Sequence, residues 1–472
     1  MRMDRYLQHL SKDLWAYLEY PYVDRVYRDS YYTYFASKHL DYSRNALRIS
    51  FFADQIDAAS FRDATASDQL KPCFLGTLVI RPTMPNLFGR AMISPRALKS
   101  SDFSCCLCQS SSLVNGIKLS AYGFPHASQN TESLTCAETS VWSTMEYFGH
   151  QYPEYSPALP SEIIQALDHT SFKRLLPSEG LTVQQISQAL KELGLGTVIY
   201  SLEAYGCQDL QRILNHYVES GIPVIVALQN GQVGHAVVYI GHTSQTDPPR
   251  TKPIRFHTIS GSPRRIRIKN LGDTSYDYVV IDDNFPPYQI ASFRDPSGYY
   301  TSKNFGNLQI TSIVVPLYTH VYLDAYKAYN LAEEVLVDSV IGYHTSYTSA
   351  PDDIVLRFFL TSSRSFKYRA ATNLTMSPAL KDLIVTSTMP KFVWVAELTD
   401  EARYSAPQQV AFGYVVLDAT GGPRVDSVFL IVYPGRLVFR DKERNFTSTP
   451  VDFGDFDLYK NNLKGAWSKW RI

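Results

Sequence analysis

Between residues 136 and 220 the apolar positions recur at helical spacing, and beyond 222 they change to short runs and alternations. The first region predicts helices over 136–148, 161–168, 182–193 and 207–219. Gly149, Gly194 and Gly221 each stand where a helix C-terminus is expected. The second region predicts strands at "IPVIVAL" (222–228), "HAVVYIG" (235–241), "RRIRIKN", "YDYVVIDDN" and "LQITSIVVPL", the last closing near 317. Upstream, "FLGTLVIRP" (74–82) reads as a buried strand stopped by Pro82. "FSCCLCQSSS" (103–112) and "NGIKLSAYGF" (115–124) read as two more strands, with the hairpin dipeptide Asn115-Gly116 between them. Leu7, Leu10, Leu14 and Leu18 are at helical spacing and predict an opening amphipathic helix. The Tyr- and Arg-rich stretch that follows, to about residue 60, reads as helical in part.

From about 320 the pattern restarts, with a helix over about 322–341 and then "DIVLRFFLT", "FVWVAEL", "QVAFGYVVLD", "SVFLIVY" and "RLVFRD" as strands. Helices followed by an antiparallel sheet, twice over, are an α+β signature. Three segments result: 1–114, a helical extension leading into strands; 115–318, the first α+β unit; and 319–472, a second one. A chain of 472 residues is too long for one ordinary core, which agrees with that division.

Composition removes several classes. Lys+Arg and Asp+Glu balance at 45 each, so global charge argues for no nucleic-acid partner. No apolar run approaches the ~18 residues of a membrane span. The opening "MRMDRYLQHLSKDLW" lacks the apolar core and small-residue cleavage site of a secretory signal. Cys73, Cys105, Cys106, Cys108, Cys136 and Cys207 form no disulfide framework, and a cytoplasmic location is expected. "CCLC" lacks the C-x-x-C pair of a structural zinc site, so core packing is expected there and no metal or other cofactor is implied. The tyrosines of 17–41 could form a recognition face, but amphipathic elements at a domain boundary account for them.

Candidate chemistry centres on "LTCAETSVWSTMEYFG" (134–149). Thr135 and Glu138 flank Cys136 as a T-x-x-E capping box, which puts Cys136 on the first turn of a helix. There the helix dipole and free backbone N–H groups favour a thiolate, the reactive form. A buried structural cysteine is the bland reading of this stretch alone. His235 opens one strand behind Gly234, and the next strand ends in Asp282 and Asp283. An acid there could hold the imidazole in one tautomer. Either acid could serve, with Asp282, the first residue past the apolar run, preferred. Gln129 precedes the cysteine and could donate to a developing oxyanion.

With "SQNTESLTCAETSVWSTMEYFG", "GIPVIVAL", "GHAVVYIG" and "YVVIDD", the stretch of about 120–318 resembles papain-like cysteine peptidases. The nearest branch is the bacterial double-glycine leader peptidases and their relatives. The resemblance implies a papain-like core with Cys136 as nucleophile, His235 as base, Asp282 or Asp283 as orienting acid and Gln129 as oxyanion donor. It also implies a bacterial hydrolase that acts on a peptide or isopeptide bond of a protein or peptide substrate. Ala137 only partly meets the small residue that usually follows the cysteine, and the family acid is single where two stand here. The same triad also serves acyl transfer and deamidation. A papain-fold module that binds a partner without catalysis, or a latent enzyme activated by a regulatory protein, remains the alternative. Arg250, Lys252, Arg255, Arg264, Arg265, Arg267 and Lys269 lie between the His and Asp strands with no acid among them. Beside the cleft they would favour an acidic substrate; a solvated hairpin is the plainer expectation.

Overall fold

The computed structural model describes residues 3–62, 64–83, 88–129, 135–168, 181–243, 255–258, 265–302, 304–343, 351–440 and 445–465. Three large sheets organise them, and the architecture is α+β.

The first sheet is antiparallel, in the order Trp15–Tyr22, Ala46–Phe52, Phe74–Ile80, Phe88–Ile93, Ile117–His126 and Cys108–Val114. It curls until its edges meet: the Arg48 guanidinium donates to the Leu113 carbonyl, and Glu19 Oε1 accepts from the Asn115 N–H at 3.3 Å. Phe52, Phe61, Phe74 and Leu119 fill a small core of their own there. Asn115 and Gly116 turn the last hairpin with φ of 45° and 88°, which the Asn-Gly pair tolerates.

The opening helix is shorter than its leucine spacing predicts. Met3–His9 is helical, but Leu14 lies beyond it and Trp15–Tyr22 is a strand. Aromatic residues that favour strands pair there with Ala46–Phe52 (Trp15 with Phe52, Leu18 with Ile49), and this tertiary ladder overrides the local period.

The second sheet has the order Gln289–Ser292, Asp277–Ile281, Gly234–Thr243, Val224–Gln229, Gln309–Leu317 and Gly196–Ser201. Phe103–Cys105 also pairs with Gly234–Thr243, and Lys464–Gly465 pairs with Phe103–Cys105 in turn. "FSCCLCQSSS" is therefore two strands in two sheets; the Cys106 N–H donates to the Ile240 carbonyl at 2.7 Å where the chain crosses over. Side-chain alternation sorts this sheet into two faces. Val238, Ile240, Val279 and Val314 join the core of the helix Cys136–Gln151. Val226, Val237, Tyr239, Tyr278 and Ile313 pack with the helices Leu202–Glu219 and Ala325–Val337.

The third sheet is Arg255–Thr258, Arg265–Asn270, Asp353–Ser362, Phe392–Thr399, Gly413–Asp418, Val428–Tyr433, Arg436–Arg440 and Phe446–Pro450. Its inner face, with Phe358, Leu360, Trp394 and Val415, shares a core with the second sheet. Its outer face is covered by Ser363–Thr372 and Pro378–Thr386, two helices that the sequence pattern did not predict. The segments 115–318 and 319–472 thus share a sheet, because Arg265–Asn270 runs parallel beside Asp353–Ser362. The segments 1–114 and 115–318 share the hairpin of Cys108–Val114 and Ile117–His126. Among the described residues no helix is long and apolar enough to cross a membrane.

Candidate active site

Cys136 is the first residue of the helix Cys136–Gln151, with Thr135 as its N-cap. Glu138 accepts from the Thr135 N–H at 3.1 Å and also from its hydroxyl. Ala137 to Phe148 are buried on every side, because strands of the first and second sheets and the helices Pro160–Asp168 and Val183–Glu192 surround the helix. Gly149 does not end it. The helix runs on to Gln151, and a Cβ at Gly149 would lie 2.4 Å from the Pro157 nitrogen, so glycine here permits close chain approach.

The helix start is joined to the start of the strand Gly234–Thr243, where the Ser140 hydroxyl approaches the Ala236 carbonyl at 3.4 Å. Val238 pairs with Ile281 in antiparallel register. Residues just past Ile281 therefore lie beside residues just before Val238, which brings Asp282 and Asp283 to His235. His235 Nε2 is 3.2 Å from Asp282 Oδ2 and 4.0 Å from Asp283 Oδ1. The Tyr300 hydroxyl is also on Nε2, at 3.1 Å. Cys136 makes a side-chain hydrogen bond with the same imidazole. The structure thus brings Cys136, His235, Asp282 and Asp283 together.

Asp282 is the best-supported charge of the group. Its Oδ2 accepts from Tyr299 at 2.9 Å and Tyr300 at 2.7 Å, and its Oδ1 from the Asn284 N–H at 2.8 Å. Burial raises its pKa, but the His235 charge and hydrogen bonds from His235, the Asn284 N–H and Tyr300 outweigh that and hold it below the usual carboxylate value. Burial lowers His235, yet Asp282 and Cys136 more than offset this and hold the imidazole well above its ordinary value. Asp283 is the opposite case. Burial first, then the Asp282 charge, push it up to about 8 against the pull of His235. Among the described residues no donor reaches either of its oxygens, and a hydrogen bond to the Asp282 carboxylate favours its protonated form. One acid is ionised and oriented; its neighbour is held as the neutral acid.

Gln129 also reaches the site. Its Nε2 donates to Asn284 Oδ1 at 2.9 Å, and Asn284 Nδ2 donates to the Tyr300 hydroxyl at 3.2 Å. Aromatic rings enclose the imidazole: Phe305 meets it edge-on at 5.6 Å and stacks on Tyr300 at 5.0 Å. Asn284, Tyr299, Tyr300 and Phe305 were missed by sequence reasoning. Asn284 follows the two acids directly and had a visible signal. The other three stand on a loop with no periodicity, and "GYYTS" is the one hint.

His235, Asp282 and Asp283 are a donor set that a divalent cation could use, with ligand atoms within 4.8 Å of one another. Cys105, Cys106 and Cys108 are fully buried, and burial pushes the Cys106 thiol up to about 12. The basic segment is not a cleft wall where it is described. Arg267 pairs with Asp353 on the neighbouring strand of the third sheet, and Lys269 pairs with Glu401, which opens the short helix Glu401–Tyr404. Arg250, Lys252 and Arg264, and the side chains of Arg255 and Arg265, lie outside the described residues.

No protein-family model matches the chain, and no curated protein matches it.

Proposed function

We propose that the chain is a papain-like cysteine peptidase-type hydrolase that opens a peptide or isopeptide bond through Cys136, His235 and Asp282. One observation carries the reading: a half-buried cysteine at a helix N-terminus shares an imidazole with an ionised, multiply hydrogen-bonded carboxylate. His235 takes the Cys136 thiol proton, and Asp282 stays hydrogen-bonded to the imidazole. The thiolate attacks the carbonyl carbon, and backbone N–H groups of the helix start receive the oxyanion. The C–N bond breaks, and the imidazolium gives its proton to the leaving amine. Water, deprotonated by His235, then attacks the thioester and releases the acid and the thiol. A cytoplasmic location belongs to the same reading, since free thiols persist in a reducing compartment.

A partner-dependent form of the same site has one observation in its favour: the Gln129 amide is engaged by Asn284 rather than open to an oxyanion. Both forms are tested by iodoacetamide labelling of Cys136, read by mass spectrometry, at about pH 6.5, the ordinary histidine value. Wild type should label much faster than His235→Ala. Equal slow rates in the two would overturn a self-sufficient site. Equal rates that also persist after candidate substrates and cell extract are added would overturn the partner-dependent form.

A further inference from the structure

We propose that the open groove beside His235 receives the leaving-group side of the substrate and selects a segment of uncharged polar residues there, with Gln229 and Gln309 as its main recognition side chains. This deepens the proposed function and rests on that reading of Cys136 and His235.

Strand register places the groove. Gly234 pairs with Gln229, and Gln229 pairs in turn with Gln309, so the three stand in one row across neighbouring strands. His235 is the next residue along its strand, and Gln229 and Gln309 are exposed. Neighbouring strands are ~4.8 Å apart, so the row reaches roughly 10 Å sideways from Gly234. Asn230 ties the turn before His235 to the loop of residues 304–307. Its Nδ2 donates to the Asn304 carbonyl at 3.0 Å and the Gly306 carbonyl at 3.3 Å. Its Oδ1 accepts from the Gln232 N–H at 3.1 Å and the Val233 N–H at 2.9 Å. The same loop carries Phe305, whose ring meets the imidazole edge-on. The loop that shapes the groove therefore also touches the base.

The chemistry of the groove is narrow. Gln229, Gln232, Asn307 and Gln309 line it, and among the described residues no charged, aliphatic or aromatic side chain does. None of these four carboxamides makes a side-chain hydrogen bond among the described residues. Each offers both donors and an acceptor. They match a partner with the same double capacity, namely peptide backbone with hydroxyl or carboxamide side chains. A charged side chain would lose water there without gaining a counter-ion, and an apolar one would meet no apolar wall.

The direction follows from the mechanism. The imidazolium gives its proton to the leaving amine, so that amine lies over His235 and the rest of the leaving segment continues beyond it. Towards Asp282 the space is occupied, because Phe285 packs on Tyr299 at 5.0 Å and on Tyr300 at 4.7 Å. The open side of His235 is the side of Gln229 and Gln309.

The test runs the leaving step in reverse and needs no natural substrate. The Cys136 thiolate of the full chain attacks the carbonyl of p-nitrophenyl acetate, and p-nitrophenolate leaves. The acetyl thioester then meets four peptide amides in one mixture, GQNQS, GEDES, GKRKS and GLVLS, at about pH 8, where α-amino groups are partly deprotonated. The amine attacks the thioester carbonyl, the thiolate leaves, and the amine proton passes to His235. Mass spectrometry reads the acetylated peptides, with Cys136→Ala as the blank. The peptides compete for one acyl-enzyme, so their product ratio does not depend on how fast it forms. GQNQS should be acetylated about 10-fold or more above each of the others, the size of one or two hydrogen bonds. Gln229→Lys combined with Gln309→Lys should shift the ratio several-fold towards GEDES. Gln309→Lys alone, which should shift it the same way, replaces the pair if thermal melts show the double variant unfolded. Equal transfer to all four peptides, no transfer to any of them from an acetylated Cys136, or an unaltered ratio in a folded Lys variant would overturn the groove and leave Cys136 as a nucleophile. No acetylation of Cys136 would overturn its reading as a self-sufficient nucleophile, and the role of the groove with it.

Discussion

His235 Nε2 lies 3.2 Å from Asp282 and 4.0 Å from Asp283, and the site shifts the pKa values of these adjacent acids in opposite directions. Asp282 has the hydrogen-bond donors and stays ionised. Asp283 has none among the described residues and keeps its proton. Donors, more than distance, decide which acid orients the imidazole.

Substitution should therefore separate the two. Asp282→Asn leaves the shape but lets the imidazole adopt the wrong tautomer, which costs on the order of 10⁴ in turnover in comparable triads. Asp283→Asn should cost less than about 10-fold, because an amide replaces a neutral acid and little charge changes. Labelling of Cys136, and hydrolysis once a substrate is in hand, would read the difference. Equal losses in the two variants would contradict the assignment.

Asp283 also sets a pH dependence of stability. Its folded value, about 8, lies above the ordinary carboxylate value of 3.8. Between those values the unfolded chain releases a proton that the folded chain keeps, so stability falls as pH rises across that window and levels off above it. Asp283→Asn should flatten this part of the curve and gain most near its upper end. Urea unfolding midpoints across the window would show it, and parallel curves for the two proteins would refute it.

Tyr300 joins the acid to the imidazole, with its hydroxyl 2.7 Å from Asp282 and 3.1 Å from His235. Tyr300→Phe keeps the stack on Phe305 and removes the hydroxyl. Loss of about 1 kcal/mol of stability is expected. The labelling rate should also fall several-fold if the hydroxyl supports the ionised acid. A rate unchanged alongside an unchanged melting temperature would remove Tyr300 from the site.

Gly241 is where Phe103–Cys105 joins the His235 strand. A Cβ there would sit 2.0 Å from the Ser104 carbonyl oxygen and 2.5 Å from Cys105 Cβ. These atoms are backbone and core and cannot step aside. Gly241→Ala should destabilise by about 3 kcal/mol or more, at the upper end of overpacking. A melting temperature within a degree or so of wild type would show that the strand can shift.

Much of the site was legible because its residues stand at the ends of elements. Cys136 follows a capping threonine, His235 follows a glycine at a strand start, and the two acids end an apolar run. Each position is marked by local chemistry. Tyr300 and Phe305 lie in a loop whose residues show no period, and their contact with His235 depends on the chain's return path. The opening leucines misled for the opposite reason: their spacing was real, but pairing with Ala46–Phe52 was stronger than the local preference.

By itself, the sequence determined the α+β class, the central helix that begins at Cys136 and the order of the strands after it. These follow from period, caps and turn residues, which act over a few neighbouring positions. The tertiary structure alone decided which acid faces His235, because antiparallel register and a returning tyrosine pair choose between two adjacent aspartates. It alone sent Arg265–Asn270 into the third sheet, since a parallel ladder joins segments that share no local signal. It also enclosed Arg357 between Glu219 and Glu397. Charge partners are set by proximity in space, which the order of residues does not encode position by position.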